Sequence, residues 1–460
     1  MGSSRSWPER HYAVYARVME NIPIPCDTFV SAGTILTQNE SRDVLRDAAL
    51  AITDGRITAM GKTADLAGRF APAQTIDLSE AMVLPGLVNS HGHAAMTLFR
   101  GLCDDAPLGV WLTEHIWPAE ARLTAEAAGL GTTLACAEML ASGTTCFLDA
   151  YLFADTEATA VLAAGLRAVV CQGVFDRDAE NFKGTEQALR NAAALADRLA
   201  GHSRLRTAIF PHAVYTCSAD TLVRCATLAR SRNLLLTTHA AETAKENDDC
   251  QKKHGSRVIP YLHRLGLLGP KTLLAHCVDL DEADRDILAA TKTAVAHCPK
   301  SNMKLASGIA PVQALRAAGV RVGLGTDGAA SNNALNLFSE MNVAALLQKV
   351  ASGDPTALGA QAVFDMATRD GANALGWPEL GRLAVGGPAD LCALDMTRPG
   401  LCPSFDPVSN VVYAASGGEV RLTMVAGRVL YRDGAFPDLD YPGLRAAFQR
   451  AAANLTDGAS

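Results

Sequence analysis

Between Pro85 and about Gly376, short apolar runs alternate with Ala/Leu/Arg-rich helical stretches, and this alternation limits the fold more than any other feature. The runs are 82–89, 144–149, 166–172, 206–211, 234–238, 272–275, 294–296 and 320–325. Strands separated by helices pair in parallel, because a parallel neighbour needs a crossover long enough to hold a helix. Eight such units predict an α/β fold, a (β/α)8 TIM barrel over residues 85–379. A doubly wound open sheet would carry a Gly-rich phosphate turn early, and no such turn is present.

The flanks have a different rhythm. Residues 26–84 and 380–440 read as short hairpin strands around turns such as Asp54-Gly55, and together predict one small β-sandwich built from N- and C-terminal segments. Residues 1–25 are charged and Pro-bearing, an N-terminal extension expected on the surface. Residues 441–460 close the chain as an Ala/Arg-rich helix.

Composition removes several function classes. Of the 460 residues, 49% are hydrophobic and 19% charged, enough apolar material for a large core. The net charge of −7 and the lack of a long basic run argue against nucleic-acid binding. No apolar stretch is long enough for a membrane span, and the N-terminus lacks the apolar core of a signal peptide. Twelve cysteines without CxxC pairs suit free thiols in a reduced compartment, so a cytoplasmic location is expected.

The polar residues at the run ends carry the chemistry. The first run leads into His91-Gly-His93, the fourth into His212, the fifth into His239 and Glu242. The sixth leads into His276, the seventh into His297 and the eighth into Asp327. Active sites of this barrel lie at the C-terminal ends of the strands, where these residues fall. Residues two apart on a strand share a face, so His91 and His93 point the same way, with Gly92 expected to allow a close backbone approach. His91, His93, His239 and Asp327 supply three nitrogens and a carboxylate, a set that suits one divalent metal, Zn²⁺ first and Fe²⁺ or Mn²⁺ as alternatives. Strand four, Thr207-Ala-Ile-Phe-Pro-His212, has no lysine to bridge a second ion. Glu242 is placed to exchange protons with a substrate ring, and His276 to orient the attacking water while Asp327 takes its proton. The nucleic-acid base deaminase signature, H-x-E with P-C-x-x-C, is absent: His239-Ala-Ala-Glu242 has different spacing, and Cys298-Pro-Lys-Ser lacks the second cysteine.

The chain resembles the amidohydrolase superfamily, within the branch of 5′-methylthioadenosine/S-adenosylhomocysteine deaminases and chlorohydrolase-like enzymes. The resemblance rests on Pro85-Gly-Leu-Val-Asn-Ser-His-Gly-His93, Trp117-Pro-Ala-Glu120, His212-Ala-Val-Tyr-Thr-Cys-Ser218 and His239-Ala-Ala-Glu-Thr243. It continues in Ala275-His-Cys-Val278, His297-Cys-Pro-Lys-Ser-Asn302 and Gly325-Thr-Asp-Gly-Ala-Ala-Ser-Asn-Asn333. It implies metal ligation by His91, His93, His239 and Asp327, ring protonation by Glu242, and His276 beside the hydrolytic water. It also implies substrate contacts from Trp111, His212 and a ribose-gripping Glu120, with His297, Asn302 and Ser331 behind them. Where the family has an arginine after strand three, this chain has Gln172, which predicts a preference for small or uncharged 5′ groups.

The expected activity is hydrolytic deamination of an adenine nucleoside, a small-molecule substrate, with no nucleic-acid or membrane partner and a homo-oligomer left open. An aminohydrolase or chlorohydrolase of a triazine or similar heterocycle is the alternative. A non-catalytic barrel-fold binding module is more distant, because every ligand position is filled.

Overall fold

A computed structural model describes residues 23–179 and 182–456. The N-terminal extension lies outside the described residues except for its last three positions, of which Ile24 and Pro25 already belong to the first strand.

Four strands come first: β1 (Ile24–Leu36), β2 (Val44–Thr53), β3 (Arg56–Lys62) and β4 (Phe70–Pro85). The β2–β3 turn is the Asp54-Gly55 pair, both with positive φ (50° and 71°), as a tight hairpin requires. The barrel strands follow: β5 (Leu87–His93), β6 (Thr144–Tyr151), β7 (Arg167–Val174), β8 (Leu205–Pro211), β9 (Leu235–Ala240), β10 (Thr272–His276), β11 (Ala294–His297), β12 (Val322–Leu324) and β13 (Asp327–Gly328). Three late strands, β14 (Leu391–Asp395), β15 (Val420–Val425) and β16 (Arg428–Arg432), return to the first group.

The flanking strands form one seven-stranded sheet in the order β16-β15-β14-β4-β1-β2-β3. Its pairs are antiparallel except β1 with β4. The sheet rolls over itself: Ile57 of β3 shares a core with Leu422 and Met424 of β15, although five positions separate those strands in the sheet order. Both layers of the expected composite unit thus come from a single sheet.

The barrel sheet runs β12-β11-β10-β9-β8-β7-β6-β5-β13 with every neighbour parallel. Strands β5, β6 and β7 are buried at every residue, the mark of strands covered on both faces. Two details differ from the sequence pattern. The run 82–89 splits at Gly86, so that Met82–Pro85 pairs in the small sheet and only the rest is barrel. A Cβ at Gly86 would lie 2.1 Å from Thr145 Oγ1, so the crossing point admits glycine alone. The eighth strand is also broken. β12 pairs with β11, while β13 pairs with β5 in the register Asp327↔Gly92, bridging the ends of the sheet and setting Asp327 beside the two histidines.

The final helix, Tyr441–Thr456, is tied to the segment after Glu120 by the Arg122 guanidinium, which donates to the Leu455 carbonyl at 2.9 Å. No described helix is long and apolar enough to cross a membrane. All twelve cysteines are free.

Candidate active site

His91, His93, His239 and Asp327 converge at the C-terminal mouth of the barrel, buried, with ligating atoms all within 4.8 Å of one another. His91 Nε2 lies 3.2 Å from His239 Nε2 and 3.4 Å from Asp327 Oδ1, and His93 Nε2 lies 3.1 Å from the same oxygen. The His93 Nδ1–H donates to the Ala150 carbonyl, which leaves the Nε2 lone pair facing the cluster. Burial pushes His91 down to about 4, and burial with the surrounding imidazoles holds His239 well below its ordinary value, so both rings are neutral. Burial alone would raise the Asp327 carboxyl. The His91 and His93 rings, whose Nε2 atoms lie within 3.4 Å of Oδ1, outweigh it and hold the group well below its ordinary value. Ser301 and Ser331 each donate to Asp327 Oδ2 at 2.6 Å, so Oδ1 is the oxygen left to face the imidazoles. Asp327 in turn raises His93 against its burial, and three imidazoles around one buried carboxylate fit one divalent cation of the zinc class.

Gly92 is not needed for a close approach. A Cβ there would meet its nearest atom at 3.5 Å, ordinary contact. The clamp is Asn89 instead: its amide donates to Thr326 Oγ1 at 2.7 Å, and its oxygen accepts the Thr326 amide at 3.0 Å. This ties the break in the eighth strand to the strand that carries the histidines.

Glu242 and His276 stand beside the cluster. His276 Nε2 is 4.0 Å from Glu242 Oε2, and its Nδ1 bonds Asn302 Oδ1 at 2.8 Å, which fixes the ring. Burial raises the Glu242 carboxyl above its ordinary range. Burial opposes a proton on His276, but the Glu242 and Asp327 charges outweigh it and raise that ring. A raised carboxyl beside an imidazole suits proton exchange with a bound substrate. The backbone here is strained: Ala241, His276, Cys277 and Asp327 have φ of 49°, 71°, 48° and 61°, a region that costs residues with a Cβ.

A cleft open to solvent lies over these groups. Its floor includes His93, His239, Glu242, His276 and Asp327. The segment between Leu108 and Glu120 supplies one wall through Trp111, Trp117 and Glu120. Glu120 accepts the Tyr151 hydroxyl at 2.7 Å, and the Arg177 guanidinium lies 3.9 Å from its other oxygen. Arg177 itself lies over Trp117 and Phe175, at 4.7 and 5.1 Å from the ring centres. His212 lines the cavity, its Nδ1 paired with Thr216 Oγ1 at 3.0 Å.

Trp111, Glu120, His212, Glu242, His276 and Asp327 therefore meet in one cavity, with Asn302 behind His276 and Ser331 on Asp327. Gln172 does not join them. Its amide donates to the Leu152 and Gly173 carbonyls at 3.2 and 3.0 Å and is absent from the cavity wall. His297 also stays below the floor, buried, with neither ring nitrogen hydrogen-bonded among the described residues; burial pushes it to about 3 and keeps it neutral. The sequence reading missed Tyr151, Arg177, Asn89 and Ser301, although Asn89 and Ser301 lie inside two of the motifs quoted above.

A barrel with this donor set at its strand ends defines a hydrolase of the metal-dependent kind. Residues 82–430 match the amidohydrolase family, and the chain belongs to it. Over 422 residues it is 50% identical to a 5-methylthioadenosine/S-adenosylhomocysteine deaminase of Nitratidesulfovibrio vulgaris, covering 92% of this chain and 96% of that one. It is 44% identical over 420 residues to a 5′-deoxyadenosine deaminase of Methanothermobacter thermautotrophicus, covering 90% and 96%. Among solved structures, an adenosine deaminase from Xanthomonas campestris with bound zinc superposes with a TM-score of 0.93 at 38% identity, covering 95% of this chain and all of that one.

Proposed function

We propose that this chain is a zinc-dependent hydrolytic deaminase of adenine nucleosides, releasing ammonia and the inosine analogue. The observation that carries the reading is the meeting, in one cavity, of a complete donor set, a raised carboxyl at Glu242 and a carboxylate at Glu120 already engaged with a hydroxyl. His91, His93, His239 and Asp327 would hold a divalent ion, which when bound would acidify a water towards neutrality for attack on C6. The residues do the rest. Glu242 gives its proton to the adenine ring as the C–O bond forms. Asp327, with His276 beside it, takes one of the water's protons and returns it to the departing amine as the C–N bond breaks, and the second, left on the new hydroxyl, goes back to Glu242 as the C6 carbonyl forms. Glu120 reads the ribose hydroxyls, since a charged acceptor makes the stronger hydrogen bonds. The similarity to deaminases of 5-methylthioadenosine, S-adenosylhomocysteine and 5′-deoxyadenosine supports this substrate class.

The 5′ preference drawn from Gln172 falls with that residue's placement, because its amide is spent on backbone carbonyls. We therefore carry 5′-methylthioadenosine, S-adenosylhomocysteine and adenosine together as substrates. Free thiols throughout fit a cytoplasmic enzyme.

The test is ammonia release by zinc-loaded protein from these nucleosides, from free adenine and from a chlorotriazine. The expected result is turnover of at least one nucleoside with kcat/KM roughly tenfold or more above free adenine, the worth of about one good hydrogen-bonded contact. Turnover of the triazine with none of any nucleoside would overturn the reading.

A further inference from the structure

Downstream of Glu242, Thr243 caps the helix Ala244–His254, its hydroxyl accepting the Glu246 amide at 3.1 Å. Thr-x-x-Glu is the sequence of a capping box, in which the glutamate returns a hydrogen bond to the amide of the cap residue. The helix Glu282–Thr291 shows the complete arrangement, with Asp281 and Asp284 exchanging both bonds. Glu246 departs from it. Its Oε2 accepts the amide of Glu242 at 2.8 Å, one residue upstream of the cap.

The peptide unit held in this way is Ala241–Glu242, and it is held at both ends. The Ala241 carbonyl accepts the amides of Val278 and Asp279 at 2.9 and 3.0 Å, while Glu246 takes the Glu242 N–H. Ala241 has φ of 49°, so the turn that aims Glu242 into the cavity is unfavourable for alanine by itself and needs outside support. Glu246 is 7% exposed, and its Oε1 has no hydrogen-bond partner among the described residues. It borders a second cleft, which shares Leu108, Leu112, Tyr215 and Leu305 with the wall of the first. A buried carboxyl with one oxygen unmatched is a costly way to satisfy a single amide. That cost is reasonable where the amide belongs to the residue that moves the proton.

We propose that Glu246 is a positioning residue that fixes the Ala241–Glu242 peptide and thereby aims the Glu242 carboxyl at the substrate ring. The proposal rests on the reading of Glu242 as the proton donor. In Glu246→Leu the acceptor is lost at similar volume, whereas Glu246→Gln keeps an oxygen for the amide. Steady-state kinetics with zinc content and Tm measured on each variant make the test. For Glu246→Leu, kcat is expected to fall about tenfold or more while KM and zinc content stay within about threefold, the pattern of an interaction lost only in the transition state. Glu246→Gln is expected to restore kcat to within about threefold of the parent. Should the leucine variant not accumulate as folded protein, Glu246→Ala replaces it with the same expectations. Unchanged kcat in the acceptor-less variant, an equal loss in Glu246→Gln, or a loss confined to KM or zinc content would overturn the proposal. Full turnover by Glu242→Gln would instead remove the reading of Glu242, and the positioning role with it.

Discussion

Asp327 shows how much support one carboxylate receives here. Asn89 clamps the residue before it, and Ser301 and Ser331 share its outer oxygen. Behind the serines stands Glu340, fully buried, accepting from the Asn332 side chain at 2.8 Å and from the Lys300 amide at 3.2 Å. Burial pushes its carboxyl from 4.5 to about 7. Below the unfolded value both states bind the proton and the group carries no penalty. As pH rises towards 7 the unfolded chain ionises first, so stability is lost until the folded carboxyl ionises as well. The stability margin of the parent over Glu340→Gln should therefore shrink by about 3 kcal/mol between pH 4.5 and 8. Urea unfolding of both proteins at the two pH values checks this, and a constant margin would contradict it. The ligands were legible in the sequence because histidine and aspartate at successive strand ends are rare outside metal sites. Ser301 and Tyr151 were not, since hydroxyl residues are common everywhere and only tertiary placement selects these two. Gln172 was misread because position at a strand end does not say where an amide will find its partners.

At the scale of elements, the apolar runs showed all eight barrel strands but not where one sheet gives way to another. Met82–Leu84 and Leu87–Asn89 are equally buried, and only the space demanded at Gly86 separates them. The break in the eighth strand was hidden as well, since the residue that clamps it, Asn89, lies more than 200 positions away. The joint between the two sheets is as specific. Arg167, the first residue of β7, donates through Nε and Nη2 to the Asp390 carboxylate at 2.5 and 3.1 Å. Asp390 Oδ1 also accepts the Ala426 amide at 2.8 Å, which draws in the β15–β16 turn. Both partners are buried, with side chains 8% and 4% exposed. Arg167→Ala leaves the carboxylate without its cation and should cost about 3–5 kcal/mol in chemical denaturation. A loss below about 1 kcal/mol, the size of an exposed pair, would show that the joint carries little of the fold.

The whole molecule is organised by its closure. Strands from the two ends of the chain roll into one sheet, and the broken eighth strand brings the last ligand back against the first two. The cavity above them is lined by both Glu242 and Glu120, the acid and the ribose reader of the proposed reaction, brought together from distant parts of the chain. Turnover by the zinc-loaded Glu242→Gln protein tests the account most directly, because that substitution keeps the shape of the site and removes only its proton. The account predicts parental zinc content and a similar KM, with ammonia release from 5′-methylthioadenosine slowed by about 100-fold or more, the usual worth of a general acid. Turnover close to that of the parent would contradict it.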